Sequence, residues 1–258
     1  GGAGGQVGWT ELSRHKPHGY NIGYINLPAL NTVILDQDRK AVFKIDSFTP
    51  IVNQVLDPGV VWVKGDSQYK TMKDLIEAAK KTPNKISAVT TGILSDDHLA
   101  ILMVEEANPG AIFRIAHLDG GAPQMTAILG GEVEVAFDNV ASFYKRVGGG
   151  EVPALAVMDS ARSKFLPDVP TTVELGMKNV VSSSTRGIAG PKGMPPEVVK
   201  RLQDILTKAM ADPEHTQKLE ASGLGIKPMV GEEYEKYYKE LHEKAAHYTE
   251  WAGKRAHK

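Results

Sequence analysis

Two stretches of the chain are built to hold an anion through backbone amides, and a third adds a carboxyl beside them. The first is Ile86-Ser-Ala-Val-Thr-Thr-Gly-Ile-Leu-Ser-Asp-Asp-His98. It reads as a strand, a polar turn, and a helix opening at Ser95, whose hydroxyl suits an N-cap. Asp96 and Asp97 fit the positive end of a helix dipole. Leu99, Leu102 and Met103 then repeat at helical spacing. The second stretch is Asp119-Gly-Gly-Ala-Pro123. Gly120 and Gly121 let a backbone pass close to a ligand, and Pro123 belongs in the first turn of a helix. Asp138-Asn139, the third, ends the alternating run Glu132-Val-Glu-Val-Ala-Phe137. Two helix N-termini opening from neighbouring strands hold an anion without a metal or a basic side chain.

On this reading, amides of 91–95 and 120–122 grip one carboxylate, partly through water. Thr90, Thr91 and Ser95 add hydroxyl donors, so Thr90, Thr91, Gly92, Ser95, Gly120, Gly121 and Ala122 form the expected binding set. Asp138 either accepts from a ligand hydroxyl or amine, or caps the helix near 141. Arg186 has three readings: a fork on a second ligand carboxylate, a partner for an acid such as Asp138, or a solvated arginine. His98 is expected to bond within its own helix turn. The tyrosines of 234–248 follow a helical stripe and read as packing.

Other chemistries lack their residues. The chain has no cysteine, which removes disulfides, thiolate metal sites and Cys nucleophiles. Its eight histidines show neither His-x-x-x-His nor His-Glu-x-x-His spacing, so no metal site is expected. There is no Gly-x-Ser-x-Gly elbow and no evident third group for Ser95 and His98, so no catalytic residue is assigned and an enzyme is not expected. A Gly-x-Gly-x-x-Gly signature is missing, and no cofactor is expected. The net charge of −1 leaves no basic excess for a phosphate backbone, which argues against nucleic acid. No apolar run approaches the roughly 18 residues of a membrane helix.

The elements that position these turns alternate along the chain. A helix is expected over Gln6–His15, a strand over Tyr20–Ile25 and a loop at Asn26-Leu-Pro28. The β-branched runs Ile51–Val55 and Val60–Val63 are either two strands or one long, bent connector. Thr71-Met-Lys-Asp74 is a capping box that opens the next helix. Strands are expected at 86–90, 111–116, 132–137 and 154–157, with helices between them, and 180–189 reads as extended. Pro195-Pro-Glu and Asp212-Pro213 open two helices, and a third runs from Gly231 to about Ala252. Strand and helix in alternation predict an α/β fold with ligands at the C-terminal ends of strands. At 258 residues the chain has room for one large domain or two lobes.

An ordered set of short motifs completes the reading: Gly2-Ala-Gly-Gly-Gln-Val-Gly8, Pro17-His-Gly-Tyr20, Asp46-Ser-Phe-Thr-Pro-Ile51, Ser95-x-x-His98-Leu, Leu129-Gly-Gly-Glu-Val-Glu-Val-Ala-Phe-Asp-Asn139, Leu166-Pro-Asp-Val-Pro-Thr171 and Gly193-x-Pro-x-x-Val-Val-x-x-Leu202. Together they resemble the solute receptors of tripartite tricarboxylate transporters, the Bug-type receptors, over essentially the whole chain. The resemblance implies a two-lobed, type II periplasmic-binding-protein fold. Each lobe is then a mainly parallel sheet flanked by helices, and two crossing strands join them. It implies lobe I from 1–57 and 181–258, lobe II from 58–180, and a cleft that closes on an organic acid, with Asn26 reaching in from lobe I. It further implies a periplasmic monomer whose partners are a small carboxylate and the membrane subunits of a transporter. A ligand-sensing domain of the same fold, or less readily a small-molecule hydrolase, is the alternative. The family's first strand and helix have no counterpart before Gly1. Three departures bear on the ligand. Gly92-Ile-Leu-Ser95 stands for Gly-x-Gly-Ser, Leu118-Asp119 for Tyr-Lys, and Thr185-Arg186 for an aromatic pair.

Overall fold

The computed structural model describes residues 3–147 and 149–256. Gly2, which opens the first of the ordered motifs, lies outside them, as do Gly1 and Gly148. In chain order the elements are α1 (Gln6–Arg14), β1 (Gly23–Leu27), α2 (Ala29–Leu35), β2 (Phe48–Val63), α3 (Met72–Lys81), β3 (Ser87–Thr90), α4 (Asp96–Ala107), β4 (Arg114–His117), α5 (Gly121–Gly130), β5 (Val135–Asn139), α6 (Val140–Val147), β6 (Ala154–Val157), β7 (Ser183–Pro191), α7 (Pro196–Met210), α8 (Pro213–Ala221), β8 (Ile226–Val230) and α9 (Gly231–Ala256). They fall into two compact units, one of Gly1–Leu56 with Ser184–Lys258 and one of Asp57–Ser183.

The helix starts follow their local signals. Thr71 Oγ1 accepts from the Asp74 amide at 3.1 Å while the Asp74 carboxylate accepts from the Thr71 amide at 2.9 Å, the reciprocal box read above. Asp212 caps α8 by accepting from the His215 amide. Ser95 caps α4 by accepting from the His98 amide at 3.2 Å.

In the first unit β1 pairs antiparallel with β7, and the N-terminal half of β2 pairs antiparallel with β8. Trp9, Leu12, Ile25, Leu27, Leu30 and Phe43 pack with Tyr234 and Tyr238 of α9 into one buried cluster. The tyrosine stripe is therefore packing: Tyr234, Tyr238 and Tyr248 are all buried. Burial pushes the Tyr238 phenol well above its ordinary range, and its hydroxyl donates to the Ile45 carbonyl. Strand β1 runs to Leu27, through two of the three residues expected as a loop at Asn26-Leu-Pro28, and helix α2, for which the residues alone gave no expectation, follows with Leu30 and Val33 buried.

In the second unit β3 runs parallel to both β4 and β5, whereas the C-terminal half of β2 runs antiparallel to β5 and β6. The sheets are thus mixed, and the mainly parallel arrangement implied above holds only for β3, β4 and β5. The cause is β2 itself. The two β-branched runs form one 16-residue strand, which enters this sheet from the opposite direction. Trp62, Phe143, Val89, Ile128 and Val157 make the buried centre, with the Trp62 and Phe143 rings stacked at 5.1 Å. No helix among the described residues is long and apolar enough to cross a membrane.

Candidate ligand-binding site

Parallel pairing puts the C-terminal ends of β3, β4 and β5 at one edge of the second unit's sheet, with Thr90 opposite His117 in register. Three segments leave that edge: the turns 91–95 into α4 and 118–120 into α5, and the end of β5 at Asp138–Asn139, which runs directly into α6. The structure therefore gathers Thr90, Thr91, Gly92, Ser95, Gly120, Gly121, Ala122 and Asp138 at one end of the unit.

The first turn spends its donors internally. The Thr91 amide donates to Asp97 Oδ2 at 3.1 Å, and the Thr91 hydroxyl donates to the same oxygen. The Gly92 amide donates to Thr90 Oγ1 at 3.3 Å, the Leu94 amide to His98 Nδ1 at 3.1 Å, and the Ser95 amide to the Gly92 carbonyl at 3.3 Å. Thr90 Oγ1 also lies 2.7 Å from His117 Nδ1. The Thr91, Gly92, Leu94 and Ser95 amides expected to face a ligand are committed to neighbours instead. His98 bonds within its own turn, as its position predicted. Because Nδ1 accepts, its ring proton sits on Nε2.

The second turn differs. Helix α5 has no side-chain cap, and Gly120, with φ 97°, turns the chain into it. The Gly120 amide is used by the Leu118 carbonyl at 3.1 Å, and Pro123 has no N–H. That leaves Gly121 and Ala122 to present first-turn amides with no partner inside the helix. Gln124 locks the helix in place. Fully buried, it donates through Nε2 to the Val89 carbonyl at 3.0 Å and the Phe137 carbonyl at 2.6 Å. This clamp to both flanking strands was missed from the residues alone. Its signal was a lone amide in an otherwise apolar helix.

Asp138 divides its two oxygens. Oδ1 accepts from the Asn139 amide at 2.6 Å and from Ser142 Oγ at 2.8 Å. Oδ2 is buried with no hydrogen-bond partner. The helix after it is capped by another residue, Asp57, whose Oδ1 accepts from the Ala141 amide at 3.2 Å. Asp57 was also missed, because it lies on β2, far from α6 in sequence. Burial, with the charge of Asp96 adding to it, pushes the Asp138 carboxyl up to about 6 against its two hydrogen bonds. Asp97 is held well above the ordinary carboxylate range by burial first, then by the charges of Asp96 and Asp138, against its bonds from Thr91.

In the first unit, Asn26 of β1 stands directly opposite Arg186 of β7 in the antiparallel register. Cross-strand neighbours of this kind have side chains on one face of the sheet. Asn26 Nδ2 donates to the Thr185 carbonyl at 3.3 Å. Arg186 Nη1 and Thr185 Oγ1 are buried without a partner. Two residues picked out separately, 160 positions apart, are thus adjacent.

Residues 1–250 match the family described as the tripartite tricarboxylate transporter family receptor. The chain belongs to this family. A protein of a Pseudomonas species encoded in the tcbD-tcbE intergenic region is 30% identical over 239 residues, covering 89% of this chain and 68% of its own length. The curated relatives it matches extend further, since the chain spans 65–68% of their length. Among solved structures, a solute-binding protein of this family from Polaromonas superposes with TM-score 0.84 at 26% identity, over 98% of this chain and 84% of that one. The periplasmic binding protein BugD superposes with TM-score 0.77 at 29% identity, over 98% of this chain and 85% of that one.

Within this receptor family the first departure gains a structural meaning. Leu94 occupies the position where the pattern has glycine, yet its φ of 57° is still left-handed. The turn keeps a glycine conformation and bears the steric cost of a side chain there.

Proposed function

We propose that this chain is an extracytoplasmic solute receptor that binds a small organic acid and delivers it unchanged to the membrane subunits of its transporter. Family membership supports the class of protein, and the family's description supports both a carboxylate and a transporter. The observation that carries the chemistry is the uncapped start of α5, where Gly121 and Ala122 offer amides at the positive end of a helix dipole. The binding set we assign in the second unit is led by Gly120, Gly121 and Ala122, with Thr90, Thr91, Gly92 and Ser95 shaping the wall beside them. In the first unit, Asn26 and Arg186 form a polar pair on one strand face. The Arg186 guanidinium is the group we assign to a second carboxylate, because one of its buried nitrogens has no acceptor.

Calorimetric titration of the purified protein with a panel of mono-, di- and tricarboxylates tests this. At least one acid is expected to bind, and a turnover assay on that acid should stay flat. Arg186→Ala is expected to weaken dicarboxylates by roughly tenfold or more relative to monocarboxylates, the range of one charge-assisted bond. Flat titrations across the panel would overturn the receptor assignment. Equal losses for both ligand classes would remove Arg186 from it.

A further inference from the structure

Asp138 Oδ2 is a buried hydrogen-bond acceptor with nothing to accept. The residue is only 4% exposed, and its other oxygen already serves Asn139 and Ser142. Oδ2 points at the start of α5: a methyl group built on Gly121 would sit 3.3 Å from it. An acceptor thus stands beside two amide donors, all within the second unit. Asp96 and Asp97 line the same edge, and Asp97 Oδ2 is already taken by Thr91.

A buried acceptor left unmade is costly, and an ionised carboxylate accepts only. Whatever completes this corner must donate to Oδ2 and accept from the amides of Gly121 and Ala122. A bare carboxylate supplies only the second half, and placed against Oδ2 it meets like charge. A carboxylate with a hydroxyl or ammonium on the neighbouring carbon supplies both halves across a short span of atoms.

We propose that the ligand is a 2-hydroxy or 2-amino carboxylic acid, whose α-substituent donates to Asp138 Oδ2 while its carboxylate lies on the first turn of α5. This rests on the receptor reading above and names the substrate class of that site. The three nearby acids give the ammonium form a further electrostatic advantage, so hydroxy and amino acids are separate arms of the test.

Titrations at pH 8 use matched sets that differ only at the α-carbon: succinate against malate and aspartate, propionate against lactate and alanine. An α-donor is expected to tighten binding at least tenfold within one set. Asp138→Ala should collapse that ratio toward one, whereas Ser142→Ala, which touches only Oδ1, should keep it. Should Asp138→Ala fail to fold, the ratio in the unaltered protein still decides. Gly121→Ala, whose methyl would crowd Oδ2, should then lower the ratio. Acids that bind equally with and without the α-donor would overturn the inference and leave the receptor assignment standing. Failure of every acid to bind would overturn both.

Discussion

Asp138 has two oxygens with different duties, and its protonation is a property of the fold as well as of the site. In the unfolded chain its carboxyl titrates near the ordinary value of 3.8, and burial raises it to about 6 in the folded protein. A carboxyl raised on folding contributes most stability at low pH and loses that contribution as pH rises through about 6. The shift corresponds to up to about 3 kcal/mol. Asp138→Asn, neutral throughout, should therefore gain stability on the parent by up to that amount between pH 4 and pH 7. Urea unfolding at the two pH values measures it, and a constant gap between the proteins would show that this carboxyl does not carry the burial penalty. The charge of Asp138 is one of the causes that raise Asp97, so the neutral variant also eases the burial of Asp97, in the same direction. Arg186 belongs to this scale as well: its register opposite Asn26 and its buried, unpartnered Nη1 make it a candidate for more than surface charge.

At the scale of elements, the turn 91–95 and helix α4 hold opposing local terms. Ser95 accepts from the His98 amide, so Ser95→Ala should cost about 1 kcal/mol. Leu94 sits left-handed, so Leu94→Gly should relieve strain and stabilise by up to about 1 kcal/mol, less the entropy of a freer unfolded chain. Denaturation midpoints of the two variants should move in opposite directions. Midpoints that fall together would mean that Leu94 packing outweighs its backbone strain. The same scale explains why α5 carries the proposed site and α4 does not. Helix α4 is capped by Ser95 and tied by Asp97 to Thr91, whereas α5 opens on two glycines and a proline with no side chain available to cap it.

At the scale of the molecule, each unit has its own buried cluster, and β2 contributes to both units through successive halves of one strand. A ligand that binds only folded protein stabilises it by mass action, by about 2.7 kcal/mol at a hundredfold excess over its dissociation constant. The cognate acid should thus raise the melting temperature in a concentration-dependent way, while the same concentration of acid moves an Asp138→Ala variant much less. A thermal shift of equal size in both proteins would place the ligand elsewhere.

What was legible in the residues was local. The capping box at Thr71, the N-caps at Ser95 and Asp212, the alternation before Asp138 and the glycine turn at 120–121 act over four or five positions, so their types and spacing determine them. The ordered motifs pointed to the family because each is a short run of residue types at fixed spacing. Hydrogen-bond commitments across the sheet were decided only by tertiary structure. The amides of 91–95 looked open, and the fold closes those of Thr91, Gly92, Leu94 and Ser95 on Asp97, Thr90, His98 and the Gly92 carbonyl. Asp138 read equally as a ligand acceptor or a cap, and β2 brings Asp57 to the first-turn amide of Ala141 while Asp138 Oδ2 stays without a partner. Gln124 reaches two strands at once, and Asn26 meets Arg186 across a register that neither stretch encodes alone. A donor's local sequence shows what it offers, and only the packed chain determines which acceptor reaches it first.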